Sequence, residues 1–366
     1  MNLLAIIFHL ILRFISRLGS PHDGDLLYIQ FQTFWMTCSQ NEKHISKESL
    51  SRLLLSLICG ISSSLICYIM GHVFPTMFIL ESERMPTPSR NNDNEQQKEQ
   101  NYGSPVFQSP LKAFNFLCNT GGTPMVFRGL STGVIYHLCL SFLKTVLHDL
   151  VGLSILARAL LDIISCILLS ELHLSWTHAT ICARRNLFTR PVHNARRWSA
   201  LLIPTLVYAT AGAAMLRLPH IVYRSGNLIF PYDSDPKELF PHLIAFGEVF
   251  TLLPRVLIRV LVLIPATIAL TLVEARFLDD EEATILPDAA GRRRAKMRDF
   301  AEGKMRLVKK DNVRQGVYRF VRGKTFIGLC RLHIVRSTTV FITECAILWA
   351  AYAFGVISLP EVLYAS

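Results

Sequence analysis

The sequence predicts an all-α, polytopic membrane protein, a helical bundle of about six spans. Three observations carry that expectation. The 366 residues are 51% hydrophobic and only 18% charged, and the mean hydropathy is +0.35, more apolar than an ordinary soluble domain. Apolar runs near the length of about twenty residues needed to cross a bilayer's hydrocarbon core recur along the chain. The segments between those runs alternate in charge: 81–110 is net −2, 184–197 net +5, 219–242 net −1 and 279–324 net +5. Two basic segments separated by two spans fall on one side of a membrane, the pattern of the positive-inside rule.

The elements follow in order. Residues 1–18 form a short apolar helix with His9, Arg13 and Arg17 on one stripe, an interfacial or targeting segment. With the loop after it, this makes an N-terminal region over 1–50. Leu53–Leu80 is the first span, with small residues at Gly60 and Ser62 to Ser64 for close helix packing. Residues 81–110 are polar and rich in Pro, Asn and Gln, which predicts a disordered linker. A short amphipathic segment, Leu111–Cys118, precedes the turn Gly121-Gly122. Gly129–Leu147, Val151–Leu174 and Ala200–Leu218 are the second, third and fourth spans. The fifth lies in Leu243–Phe277, the longest apolar stretch, where Pro254 and Pro265 predict kinks. The sixth, Phe326–Ser358, carries Arg331, His333 and Arg336 early, which predicts an interfacial first half and a spanning second half.

The fifth span is the centre of the functional reading. Arg255 and Arg259 are one turn apart and share a face. An intramembrane arginine is costly unless it faces protein or water, so this face is predicted to look into a bundle or cavity, with snorkelling to an interface as the alternative. Asp162, mid-span, pairs most simply with Arg158 four residues earlier; pairing across the bundle with Arg255 or Arg259 would instead make a polar binding site. Glu171 and His178, seven apart, share another face, whereas His173 and His178, five apart, are poorly spaced for a metal. Arginine suits a carboxylate or phosphate because its fork pairs bidentately. The candidate site is therefore Arg255, Arg259, Asp162, Arg158, Glu171 and His178, and the implied partners are the lipid bilayer and a small anionic solute.

Other classes find no support in the motifs. Nucleophile elbow, phosphate-binding loop, dinucleotide fingerprint and histidine-rich metal signatures are missing from the sequence, so no cofactor is predicted and an enzyme is the weaker reading. The nine cysteines contain no Cys-x-x-Cys spacing and read as small buried apolar residues rather than a disulfide or zinc framework. No nucleic-acid module accompanies the positive charge. Asp279 to Glu282 reads as a solvated turn and Arg292 to Arg294 as a membrane-surface patch. The oligomeric state is left open.

An internal repeat organises the spans. The odd spans begin near Arg52, Val151 and Phe246. Val126-Phe127-Arg128-Gly129 precedes the second span and Phe320-Val321-Arg322-Gly323 the sixth, 194 residues later. This divides the chain into units over 51–150, 151–240 and 241–366, the last holding the basic loop 279–324. Three two-span units, with the Gly122–Gly129 stretch GTPMVFRG, resemble the mitochondrial carrier superfamily, and Trp176–Ile181 resembles a tract of uncharacterised fungal multi-span proteins. The carrier resemblance implies three tandem repeats, a mitochondrial membrane, with another endomembrane as the alternative, and solute transport. The chain departs from the carriers' Pro-x-acid-x-x-base ends of the odd helices: Pro75 is followed by no charge through Leu80, Glu171–His178 has no proline, and Glu274-Ala275-Arg276 has none two residues before the acid. That departure leaves two alternatives to transport, a scaffold or insertion helper without the gates, and a membrane-bound enzyme.

Overall fold

The computed structural model describes residues 58, 60–84, 106–151, 155–182, 195–229, 254–278, 283–287, 294–296 and 324–353. Helices dominate them. They are α1 (Gly60–Ser82), α2 (Pro110–Gly121), α3 (Leu130–Val151), α4 (Ile155–Leu168), α5 (Ser170–Ile181), α6 (Ala195–Ile229), α7 (Pro254–Ala275) and α8 (Lys324–Ala353). Five stretches are long and apolar enough to cross a bilayer: α1, Thr123–Leu147, Trp198–Arg217 of α6, α7, and Thr325–Ile347 of α8. The pair α4 and α5, bent by 54° between them, makes six if it counts as one span. Each carries large apolar side chains on its outer surface, such as Ile61, Phe142, Leu160, Ile203, Leu261 and Ile334. An outward apolar surface around a partly polar interior is what lipid as solvent selects. These are the helices of a multi-pass membrane protein.

The odd spans are interrupted. In α1 the turn Ile69–Val73 is a π-helix, closed by the Phe74 amide donating to the Ile69 carbonyl. In α7 the turn Arg259–Leu263 is also a π-helix, closed by Ile264 on Arg259. A proline follows each at the same offset, Pro75 and Pro265. Proline lacks an amide hydrogen and its ring crowds the carbonyl four residues back; widening one turn to i−5 hydrogen bonding accommodates both. The Pro265 kink predicted from sequence is thus a π turn in a continuous helix. The third span, expected as one helix over Val151–Leu174, is two, because Leu169 leaves the helical region between α4 and α5. The positions just past the interruptions, Pro75, Ser170 and Pro265, are 95 residues apart, each from the next.

Beyond these points the second halves of α1 and α7 and the whole of α5 pack against one another. The main core sits there, with Met77, Ile79, Leu80, Ile181 and Ile268 fully buried. Around them α8 packs on α1 and α7, α6 on α4 and α7, and α3 on α4 and α5. The first half of α8, expected at an interface, packs into the bundle, with Leu329, Leu332, Arg336 and Ser337 buried. The described fold is all-α apart from one small element: part of the basic loop forms an antiparallel ribbon, β1 (Ala283–Pro287) with β2 (Arg294–Lys296). Its Thr284, Ile285 and Leu286 are buried, and Thr284 bridges to Cys182 at the end of α5. Apolar side chains in a polar loop, Ile285 and Leu286, drive that docking.

The linker expected over 81–110 is shorter at both ends. Helix continues to Arg84, and a turn resumes at Val106–Gln108. The Glu81 carboxylate joins the ends, accepting from the Val106 amide at 2.8 Å and the Phe107 amide at 2.9 Å. Phe107 is then fully buried. The amphipathic segment appears as α2, with Pro110 in its first turn and Ala113 and Leu117 on its buried face. The N-terminal region 1–50, residues 85–105, Asp279 to Glu282, most of Arg184 to Arg197 and most of the basic loop lie outside the described residues, as do Arg322 and Gly323.

Candidate functional site

The interrupted spans place side chains around one central cavity of about 110 Å³. Helices α1 and α3 to α8 all contribute to it. Its cations are Arg259 from α7 and Arg336 from α8, 6% and 5% exposed. Four histidines join them, His72, His137, His173 and His333, and no Asp or Glu is among the lining residues. Arg336 Nη2 donates to His333 Nδ1 at 2.9 Å. A guanidinium has only donors, so His333 Nδ1 must be the acceptor nitrogen, and the ring keeps its proton on Nε2.

Aromatic rings fill the wall supplied by α1, α3 and α5. His72 and Trp176 stack with centroids 3.7 Å apart and planes 16° from parallel. Tyr136 lies 5.6 Å from Trp176 at 26°, and His137 and His173 meet Trp176 edge-on. Trp176 reaches α3 because position 133 is glycine: a β-carbon there would lie 2.8 Å from Trp176 Nε1.

Behind His173 the site is braced by a buried acid. Glu274, 1% exposed, sits at the end of α7 and holds α5 by three contacts. Its Oε1 accepts from His173 Nδ1 at 2.5 Å, its Oε2 from the Thr177 hydroxyl at 2.7 Å, and its backbone carbonyl from His178 Nε2 at 2.8 Å. His173 and Thr177 are one turn apart on α5, which is why one carboxylate spans them.

The residues expected from sequence are distributed unevenly about this cavity. Arg259 lines it. Arg255 does not; its Nε donates to the Met215 carbonyl of α6 at 3.3 Å. Asp162 is buried and accepts from Arg217 Nη2 at 2.6 Å, so the expected pairing with Arg158 gives way to one from a different helix. Arg158 is exposed. Glu171 is half-buried and His178 buried, and neither lines the cavity; the acid that engages His178 is Glu274, through its carbonyl. Among the described residues no group of three His, Cys, Asp or Glu is placed to hold a metal ion. Sequence reasoning missed Arg336, His333, His72 and Glu274 as site residues. One signal was available: His72 lies three residues before Pro75 and Arg259 six before Pro265, close to the same level of two spans.

The Asp162–Arg217 pair yields a direct test. Asp162→Asn is expected to lower stability by about 1–2 kcal/mol, since it weakens a buried ion pair while keeping one acceptor. Arg158→Gln is expected to change it by less than about 0.5 kcal/mol. Unfolding in mixed micelles measures both, and the reverse ranking would restore the local Arg158–Asp162 pair.

Arg128 and Gly129 form a knuckle outside the cavity. Gly129 has φ +78°. The Tyr68 hydroxyl donates to the Arg128 carbonyl, and the Arg128 side chain reaches Met125 Sδ at 3.4 Å. A β-carbon on Gly129 would lie 2.6 Å from Thr180 Oγ1. The aromatic-Arg-Gly element is therefore the point where α1, the start of α3 and the end of α5 touch. The chain matches no family model, no curated protein and no solved structure, and its site is read from its own chemistry.

Proposed function

We propose that this protein is a carrier-like membrane protein that binds a small anionic solute in its central cavity. The supporting observation is the lining: two buried arginines, on adjacent helices, in a cavity to which α1 and α3 to α8 contribute and whose described lining holds no carboxylate. Guanidinium forks in a site of low dielectric favour carboxylate or phosphate oxygens. The even spacing of the three interruptions is what three tandem units would produce, and the segments beyond them pack against one another, which is compatible with a carrier-like layout.

Purified protein in detergent micelles is the material for the test, with orthophosphate and a set of short carboxylates as probes. Arg259→Gln and Arg336→Gln are each expected to weaken the tightest-binding probe at least tenfold by isothermal titration. Arg255→Gln is expected to stay within about twofold, because its side chain serves the α6 backbone. Equal losses at all three positions would point to general surface charge and sink the reading. Movement of the solute is tested separately, by uptake of that probe into proteoliposomes.

A second reading has its own support. Two and five residues after the interruptions stand Met77 and Leu80, Leu172 and Ser175, and Thr267 and Leu270, where carriers place an acid and a base. A chain with this layout and no charge gate fits a membrane scaffold or insertion helper. In that case the probe binds but is not taken up by the vesicles.

A further inference from the structure

We infer that the solute is a flat, conjugated carboxylate rather than a saturated one; this rests on the anion-binding reading above. The cavity has two chemically different sides, supplied by different helices. From α7 and α8 come Arg259 and Arg336, the latter held by His333. From α1, α3 and α5 come His72, Tyr136 and Trp176, three rings within 16° and 26° of parallel about Trp176. A saturated anion satisfies the arginines and gains only dispersion from the aromatic side. A planar π system bonded to a carboxylate satisfies both, because aromatic rings attract other rings in offset or edge-on arrangement beyond simple area burial.

A second feature points to a ligand. His72 Nε2 is buried and has no hydrogen-bond partner in the protein, although its ring lines the cavity. Buried polar atoms are nearly always partnered, and a small turn of the His72 ring toward the cavity would let a ligand oxygen supply the missing contact. Size narrows the class. A cavity of about 110 Å³ is of the order of the ~150 Å³ apolar cavity that accommodates benzene. It holds one small ring or a short conjugated chain with its carboxylate.

The test compares furan-2-carboxylate with tetrahydrofuran-2-carboxylate, which share charge and ring size and differ in planarity. Titration into the full-length protein in micelles is expected to show the planar acid binding about tenfold more tightly, the scale of one aromatic contact in a desolvated site. Trp176→Leu is expected to reduce that preference to within about twofold while both acids still bind, and His72→Leu to reduce it as well. Equal affinity of the two acids for the unmodified protein overturns the inference and leaves the anion site standing. So does a preference that survives both substitutions. If neither acid nor orthophosphate binds the unmodified protein, the anion-binding reading fails with it.

Discussion

Replacing Gly129 by valine is expected to destabilise the folded bundle by about 3–5 kcal/mol. Two effects add. Gly129 has φ +78°, a region that is a genuine outlier for a β-branched residue. A β-carbon would also lie 2.6 Å from Thr180 Oγ1 and 3.2 Å from both the Thr180 amide nitrogen and the Tyr68 hydroxyl. The backbone nitrogen cannot move aside, and Thr180 is tied by its hydroxyl to the Trp176 carbonyl at 3.0 Å. Gly129→Ala carries the same strain with less bulk, about 2–3 kcal/mol, and adding Thr180→Ala should recover about 1 kcal/mol of it by removing the nearest atom. Unfolding in mixed micelles, followed by circular dichroism, gives all three values. If Gly129→Val unfolds with the unmodified protein, the three-helix knuckle does not form in the membrane protein.

Removing the Glu274 carboxylate should cost about 2–4 kcal/mol, read as Glu274→Ala in the same unfolding experiment. The loss strands two donors at once, His173 Nδ1 and the Thr177 hydroxyl, in a place that is 1% exposed. Hydrogen bonds between helices in a membrane average well under this per contact, about 0.6 kcal/mol; the larger figure here reflects one buried side chain serving two donors at once. Glu274→Gln keeps one acceptor oxygen and the side-chain shape, and the Thr177 hydroxyl can rotate to accept instead. It should cost no more than about half as much. His173 also lines the cavity, so Glu274→Ala is expected to weaken anion binding as well, through loss of the His173 position. A Glu274→Ala protein as stable as the unmodified one would mean that α5 and α7 are held by apolar packing alone.

The apolar helices and the amphipathic segment that becomes α2 were legible as elements, though not in their exact bounds. Apolar length marks a span whatever it packs against, and the amphipathic run Leu111–Cys118 before Gly121-Gly122 marks α2. The interruptions were partly legible: Pro265 signalled one and Pro75 lay near the other, but nothing at Leu169 marks the break between α4 and α5. Ile285 and Leu286 sit in a strongly charged loop, where two apolar residues give no helix or strand period to read. The aromatic-Arg-Gly motif was found as a pattern at 126–129, while its role as a point of contact required Tyr68 and Thr180 to be brought to it.

What the sequence by itself determined is the class: an apolar, helical, multi-span chain with arginine inside a span. What only the tertiary structure decided is which polar groups meet. Glu274 joins His173 across 101 residues and Asp162 joins Arg217 across 55; Arg259 faces the cavity while Arg255, one turn away, turns to α6. In a soluble helix the contrast between polar and apolar faces reveals the side that points inward. Here lipid and core are both apolar, so that contrast nearly vanishes. The rotation and depth of each helix, and with them the partner of every buried charge, are then set by packing against its neighbours.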